Sequence, residues 1–208
     1  IYAQDSTIEF NGRIYNNRAA SQGGGIFATS STIALTSAYV GGVGENQPNQ
    51  LGPAGHIGVG LYFTEGTQAT LDNTVVTSNT FQTTGFTYGG GLAVMSGSIV
   101  TMTGSRVENH LAPSVADGRG AGIYISNSTV TLDNSQVLSN TAGTVGGGVR
   151  LWETSTLNVL NGSVMANNHA LNQVGGAVAA GGTPAINISD ATLRDNSAET
   201  DGGAIYIT

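Results

Sequence analysis

The sequence predicts an all-β chain, a β-solenoid (parallel β-helix) of about seven three-stranded coils. Two observations predict it. A cassette of 26 to 35 residues recurs along the whole length, and within it apolar residues alternate with period two and never with the 3.6-residue period of a helix. Each cassette has a glycine pair, a short apolar run, a Ser/Thr-led apolar pair, a small polar turn, an aliphatic residue and an asparagine. The clearest copy runs from Gly120 to Asn140 and is re-entered at Gly146-Gly147-Gly148. One such coil cannot bury its own apolar face, so it must stack on the next. The repeat continues from Ile1 to Thr208 and implies a single domain, 1–208, or a segment of a longer array.

The first strand follows the glycines, with inward pairs Ile1/Ala3, Ile26/Ala28, Leu61/Phe63, Leu92/Val94, Ile123/Ile125, Val149/Leu151, Val178/Ala180 and Ile205/Ile207. The second strand repeats the alternation, as in Ile33/Leu35, Val130/Leu132 and Ile186/Ile188. A turn follows, such as Asp72-Asn73 or Asp133-Asn134, whose short polar side chains bond their own backbone and tolerate left-handed conformations. The third strand supplies one aliphatic residue: Ile14, Val40, Val76, Val107, Val137, Val164 or Leu193.

Three residues further stand Asn17, Asn79, Asn140, Asn167 and Asn196. An amide both donates and accepts, so stacked copies form a ladder along the axis; a ligand-binding row is the weaker reading. Two coils break the rule. His110 takes the position in one, and the segment from Gly41 to Gly60 has no clean match. Coil length varies mainly between the asparagine and the glycines, so Glu45 to Gly60, Thr80 to Tyr88 and Leu111 to Arg119 are expected to project as loops.

Composition narrows the function. The net charge is −7, with six arginines and no lysine, which argues against a nucleic-acid partner. The absence of cysteine excludes disulfides and thiolate metal sites. No apolar run is long enough to span a membrane as a helix, and no signal-peptide core is present, so any leader is expected to have been removed. Three Asn-x-Ser/Thr sequons read as chance in so Asn- and Ser-rich a chain.

The motif Gly202-Gly203-Ala204-Ile205, with its variants Gly175-Gly176-Ala177-Val178 and Gly146-Gly147-Gly148-Val149, goes together in the coil with an aliphatic-x-x-Asn motif. Together they resemble the repeats of the chlamydial polymorphic outer-membrane proteins and related autotransporter-like passengers. The resemblance covers nearly the whole chain and implies a right-handed parallel β-helix, exposed outside a bacterial cell, that serves adhesion or surface structure without catalysis. That family usually has Phe where this chain has Val, Ile or Leu.

A carbohydrate-active enzyme is the reading to be tested against this. Glycoside hydrolysis needs two facing carboxyl groups, and the acids here seldom share a column: Asp72 and Asp133 occupy the same turn two coils apart. Asp117-Gly118-Arg119 is the one local acid-base cluster and reads as a loop salt bridge. His56, His110 and His169 have no ligand spacing, so no cofactor or metal is expected. On the outward side of the first strand Tyr2, Phe27, Tyr62, Tyr124 and Tyr206 form a column interrupted by Ala93, Arg150 and Ala179; stacking is preferred over ligand binding as its role. The chain opens and closes on the same strand phase, Ile1-Tyr2-Ala3 and Ile205-Tyr206-Ile207, with no capping element. The expectation is therefore a non-catalytic extracellular structural protein that self-associates head to tail through these six residues. The alternatives are an adhesin or passenger segment that binds surface proteins or glycans, and third the enzyme.

Overall fold

The structure is a computed structural model and describes residues 1–42, 47–53, 56–81, 85–112 and 117–208. Every strand pairing in it is parallel, and each interior strand of the four walls lies between its counterparts one coil earlier and later. One wall is an eight-stranded sheet running from Tyr2–Gln4 to Ile205–Ile207, and three further walls have seven strands each. A coil from the middle shows the pattern: Ile123–Ser126, Thr129–Asp133, Gln136–Leu138 and Thr141–Ala142, one strand in each wall. The first three are the strands expected from the alternation. The fourth, only two residues long, follows the ladder position immediately and places a small or apolar residue inward, such as Ala112, Ala142 or Ala170.

The register keeps like beside like. Ile123 and Ile125 lie between Leu92/Val94 and Val149/Leu151, and Val130 and Leu132 lie between Val100/Met102 and Leu157/Val159. All twelve are fully buried. One continuous apolar core therefore runs along the axis, with a smaller satellite of Leu51, Val59, Phe81, Ala112, Ala121 and Ala142 beneath the fourth wall. Burying this much area against adjacent coils is the main stabilising force, and no coil has it alone.

Three corners of the coil turn through left-handed residues. Asn127, Asn134 and Ser139 do so in the middle coil at φ 49°, 46° and 53°. This fulfils the expectation for the second turn and extends it to the first and third. Two columns of hydroxyls support the corners, and their bonding between coils was not read from the sequence. At the first turn the amides of Ser6, Ser31 and Ser98 donate to the hydroxyls of Ser31, Thr67 and Ser128 one coil on. At the second, the amides of Thr74, Ser105 and Ser135 donate to Ser105, Ser135 and Ser163. The recurrent Ser/Thr is thus a buried staple between coils.

The glycine pair is required by close approach. A Cβ at Gly122 would stand 2.6 Å from the Gly148 carbonyl oxygen and 2.9 Å from the Asn140 amide nitrogen. Only a bare Cα lets glycine stack on glycine beside the ladder.

The projecting segments are partly regular. Gln50–Leu51, Thr80–Phe81 and Leu111–Ala112 belong to the fourth wall, and Thr87–Tyr88 pairs with Gly118–Arg119 in a small two-stranded sheet. Glu45 and the rest of 43–46, 54–55, 82–84 and 113–116 lie outside the described residues.

Candidate functional site

Three places were marked by the sequence: the asparagine row, the outward aromatic column and the two end strands. The row is an internal ladder. Asn17 Nδ2 donates to Asn49 Oδ1 and Asn49 Nδ2 to Asn79 Oδ1, both at 2.9 Å. Asn140 Nδ2 donates to Asn168 Oδ1, and Asn168 Nδ2 to Asn196 Oδ1, both at 3.0 Å. Each interior amide also donates to a backbone carbonyl of the preceding coil, as Asn140 does to Val107 at 3.1 Å.

Two positions correct the expectation. Asn167 is not in the ladder; Asn168 is. Met165, and not Val164, takes the inward slot between Val137 and Leu193, so every position after it moves on by one. Asn167 becomes the left-handed corner residue at φ 55°, in the column of Ser139 and Asp195. The ladder of the irregular coil is completed by Asn49, fully buried, which stands nine residues after Val40 because extra chain is inserted before it. The Gln50-Leu51 that follows it, with Leu51 inward, was the signal available.

His110 continues the ladder. Its Nε2 lies 3.2 Å from Asn79 Nδ2 and its Nδ1 3.1 Å from Asn140 Oδ1. Donors run in one direction along the ladder, so Nε2 accepts and Nδ1–H donates, which fixes a neutral imidazole. Burial depresses its pKa to about 4, against a weaker upward pull from Asn140. Both ring nitrogens are engaged, so His110 has neither a free lone pair nor solvent access for catalysis.

The outward column is broken into parts. Phe27 stacks on Tyr62 at 5.0 Å and 8°, and Tyr2 leans on Phe27 at 5.3 Å. Ala93 has no ring to offer, and Tyr88 from the small two-stranded sheet stacks on Tyr124 at 5.0 Å in its place. Tyr206 lies beyond Ala179 and joins no ring pair. Tyr62 and Tyr124 are buried, at 7% and 6% exposure, so they are wall and not platform. Stacking, the preferred role, is what the geometry supports for Tyr2, Phe27 and Tyr62.

The interruption at Arg150 is more informative than the column. Arg150 and Trp152 face outward from one strand, with the guanidinium 4.9 Å from the centre of the indole. They line a cleft of about 190 Å³ together with Asp117, Arg119, Thr144 and Gln173. Asp117 pairs with Arg119 and accepts a 2.7 Å hydrogen bond from the Tyr88 hydroxyl, which agrees with the expected loop salt bridge and adds a third member. Burial raises the Tyr88 pKa, and its bond to Asp117 raises it further. Sequence reading treated Arg150 as a gap in the aromatic column; the missed signal was its outward pairing with the single tryptophan two residues on.

The acids form no facing pair at the positions considered. Thr103 stands between Asp72 and Asp133, and each aspartate accepts from a turn asparagine: Asp72 from Asn73 at 3.0 Å, Asp133 from Asn161 at 2.8 Å. No group of three metal-ligating side chains occurs among the described residues.

Ile1–Ala3 and Ile205–Ile207 belong to the opposite edge strands of the first sheet, so they lie on the two end faces. The core columns open there. Ile188 is 40% exposed where Val159, one coil inward, is fully buried.

A single stack of parallel coils with an internal amide ladder and an axial apolar core defines a β-solenoid. The description "Right handed beta helix region" matches residues 1–208, and the chain belongs to that family. Comparison with curated proteins and with solved structures gave no match.

Proposed function

We propose that the chain is a non-catalytic extracellular structural scaffold, lengthened along its axis by copies of itself that stack on its end faces. The observation that carries this reading is the repeat itself: in all four walls each coil meets the next in the same parallel register, so one more coil adds by the contacts already present. A second copy of the chain supplies such a coil. Such a contact is heterologous and does not close, so it yields filaments. The resemblance to bacterial surface repeats supports the extracellular setting. The turn roles of Asp72 and Asp133 support a non-catalytic one, and an absence of polysaccharide cleavage is expected.

Sedimentation velocity across a concentration series tests this. The unaltered chain should form head-to-tail polymers. Ile207→Arg, which places a charge in the joint, should leave monomers, whereas Thr70→Arg on the outer side of the second wall should not. A chain that stays monomeric at every concentration would leave further coils of one longer polypeptide as the natural cover of these faces. The cleft at Arg150 favours a second reading, an adhesin or passenger segment that recognises a partner through its flank.

A further inference from the structure

The cleft beside Trp152 holds a largely buried cation. Arg150 is only 7% exposed, its Nε has no hydrogen-bond partner, and no carboxylate pairs with it among the described residues. The other arginines differ. Arg106, Arg119 and Arg194 face carboxylates, and Arg13 and Arg18 are exposed to water. Asp117 lines the same cleft and pulls weakly on Arg150 from a distance, but it forms its ion pair with Arg119 and accepts from the Tyr88 hydroxyl. Burial and then the neighbouring Arg119 lower the pKa of Arg150, and the smaller upward pulls of Tyr124 and Asp117 do not offset them.

We propose that this cleft is a binding site for the carboxylate of an acidic side chain, Glu or Asp, presented by a peptide partner. The guanidinium fork matches a planar carboxylate in two parallel hydrogen bonds, and the incoming charge would neutralise the buried cation. At about 190 Å³ the cleft admits one such side chain and falls short of a drug-sized ligand. Its lining has the residue types of a protein-recognition hot spot: Trp152, 38% exposed, with Arg150 and Arg119. Gly181 leaves room for the two side chains to lie together, because a Cβ there would stand 3.0 Å from Arg150 and 2.9 Å from Trp152.

The single tryptophan is the probe. Capped glutamate, N-acetylglutamate amide, titrated at low salt should change Trp152 fluorescence saturably, and calorimetry should give the same midpoint. Capped glutamine, its neutral isostere, should bind at least about tenfold more weakly, and added salt should weaken the glutamate response. Arg150→Gln should lose about tenfold or more in affinity with an unchanged far-UV circular dichroism spectrum, while Arg106→Gln should leave binding as it was. The proposal is overturned if capped glutamate and glutamine bind alike, if neither method detects capped glutamate, or if Arg150→Gln binds normally. Saturable binding of sulfate or glucuronate without binding of capped glutamate would also overturn it, in favour of a free anion or a glycan. None of these outcomes depends on whether copies of the chain stack.

Discussion

His110 and Arg150 are both basic side chains withdrawn from water, and their surroundings are opposite. His110 sits inside the coil with a partner at each nitrogen, held neutral by the one-way sequence of donors between Asn79 and Asn140. Arg150 lies on the outer side of the first wall with its charge intact, an indole beside it and no carboxylate paired with it among the described residues. Burial of the first kind completes a structure. Burial of the second kind leaves an unfavourable term that only a ligand removes. A buried basic residue therefore signals function when its neighbours fail to satisfy it, and burial alone says little.

The largest effect is expected where satisfaction is most complete. Asn140 donates to Val107 O and Asn168 Oδ1, and its own Oδ1 accepts from the backbone and ring of His110. Asn140→Ala strands several of these groups in a site without water, and should cost about 4 kcal/mol, from roughly 1 to 3 per orphaned group. Urea unfolding reads this directly. A change under about 1 kcal/mol would mean that the ladder is wetted, and the contrast with Arg150 would dissolve.

How legible each region was follows from what the coil repeats. The stack, the three long strands, the inward pairs and most of the ladder were readable because every coil imposes the same steric demand: glycine at the crowded corner, an amide beside it, branched apolar residues inside. Misreading arose where a coil met that demand in another way. Met165 fills an inward slot that the β-branched Val164 resembled better, and this displaced Asn167 for Asn168. Asn49 keeps its place in space although inserted chain removes it from its place in sequence. The cleft could not be read by repetition at all. Tyr88, Asp117 and Arg150 come from three successive coils and have no common motif; they meet only because the small Thr87–Tyr88/Gly118–Arg119 sheet folds back over Tyr124.

The next effect sharpens the comparison through pH. The unfolded chain protonates His110 near its ordinary pKa of about 6.5, whereas the folded chain resists until about 4. Between those values the unfolded state binds the extra proton, so this residue's contribution is fully present above about pH 6.5 and is lost as pH falls toward 4. The loss should be on the order of 3 kcal/mol. His110→Asn restores the side chain that the other coils use. It should cost about 1 kcal/mol at pH 7, for the smaller side chain left in the slot, and should flatten the slope between pH 6.5 and 4. Equal slopes in the two proteins would place the proton-sensitive group elsewhere.

The smallest effect has the opposite sign. Arg150→Leu exchanges an uncompensated guanidinium for an apolar side chain on the same outward slot, between Tyr124 and Ala179. The indole contact of Arg150 is lost, worth roughly 0.5 to 1 kcal/mol, but so is the cost of holding an unpaired cation out of water, which is larger. Net stability should rise by about 1 kcal/mol in urea unfolding, while capped glutamate no longer changes Trp152 fluorescence. Stability gained together with binding lost is the signature of a residue kept for a ligand. A destabilised variant would instead make Arg150 a structural member of the wall, equivalent to His110 in the ladder, and the distinction between the two would fail.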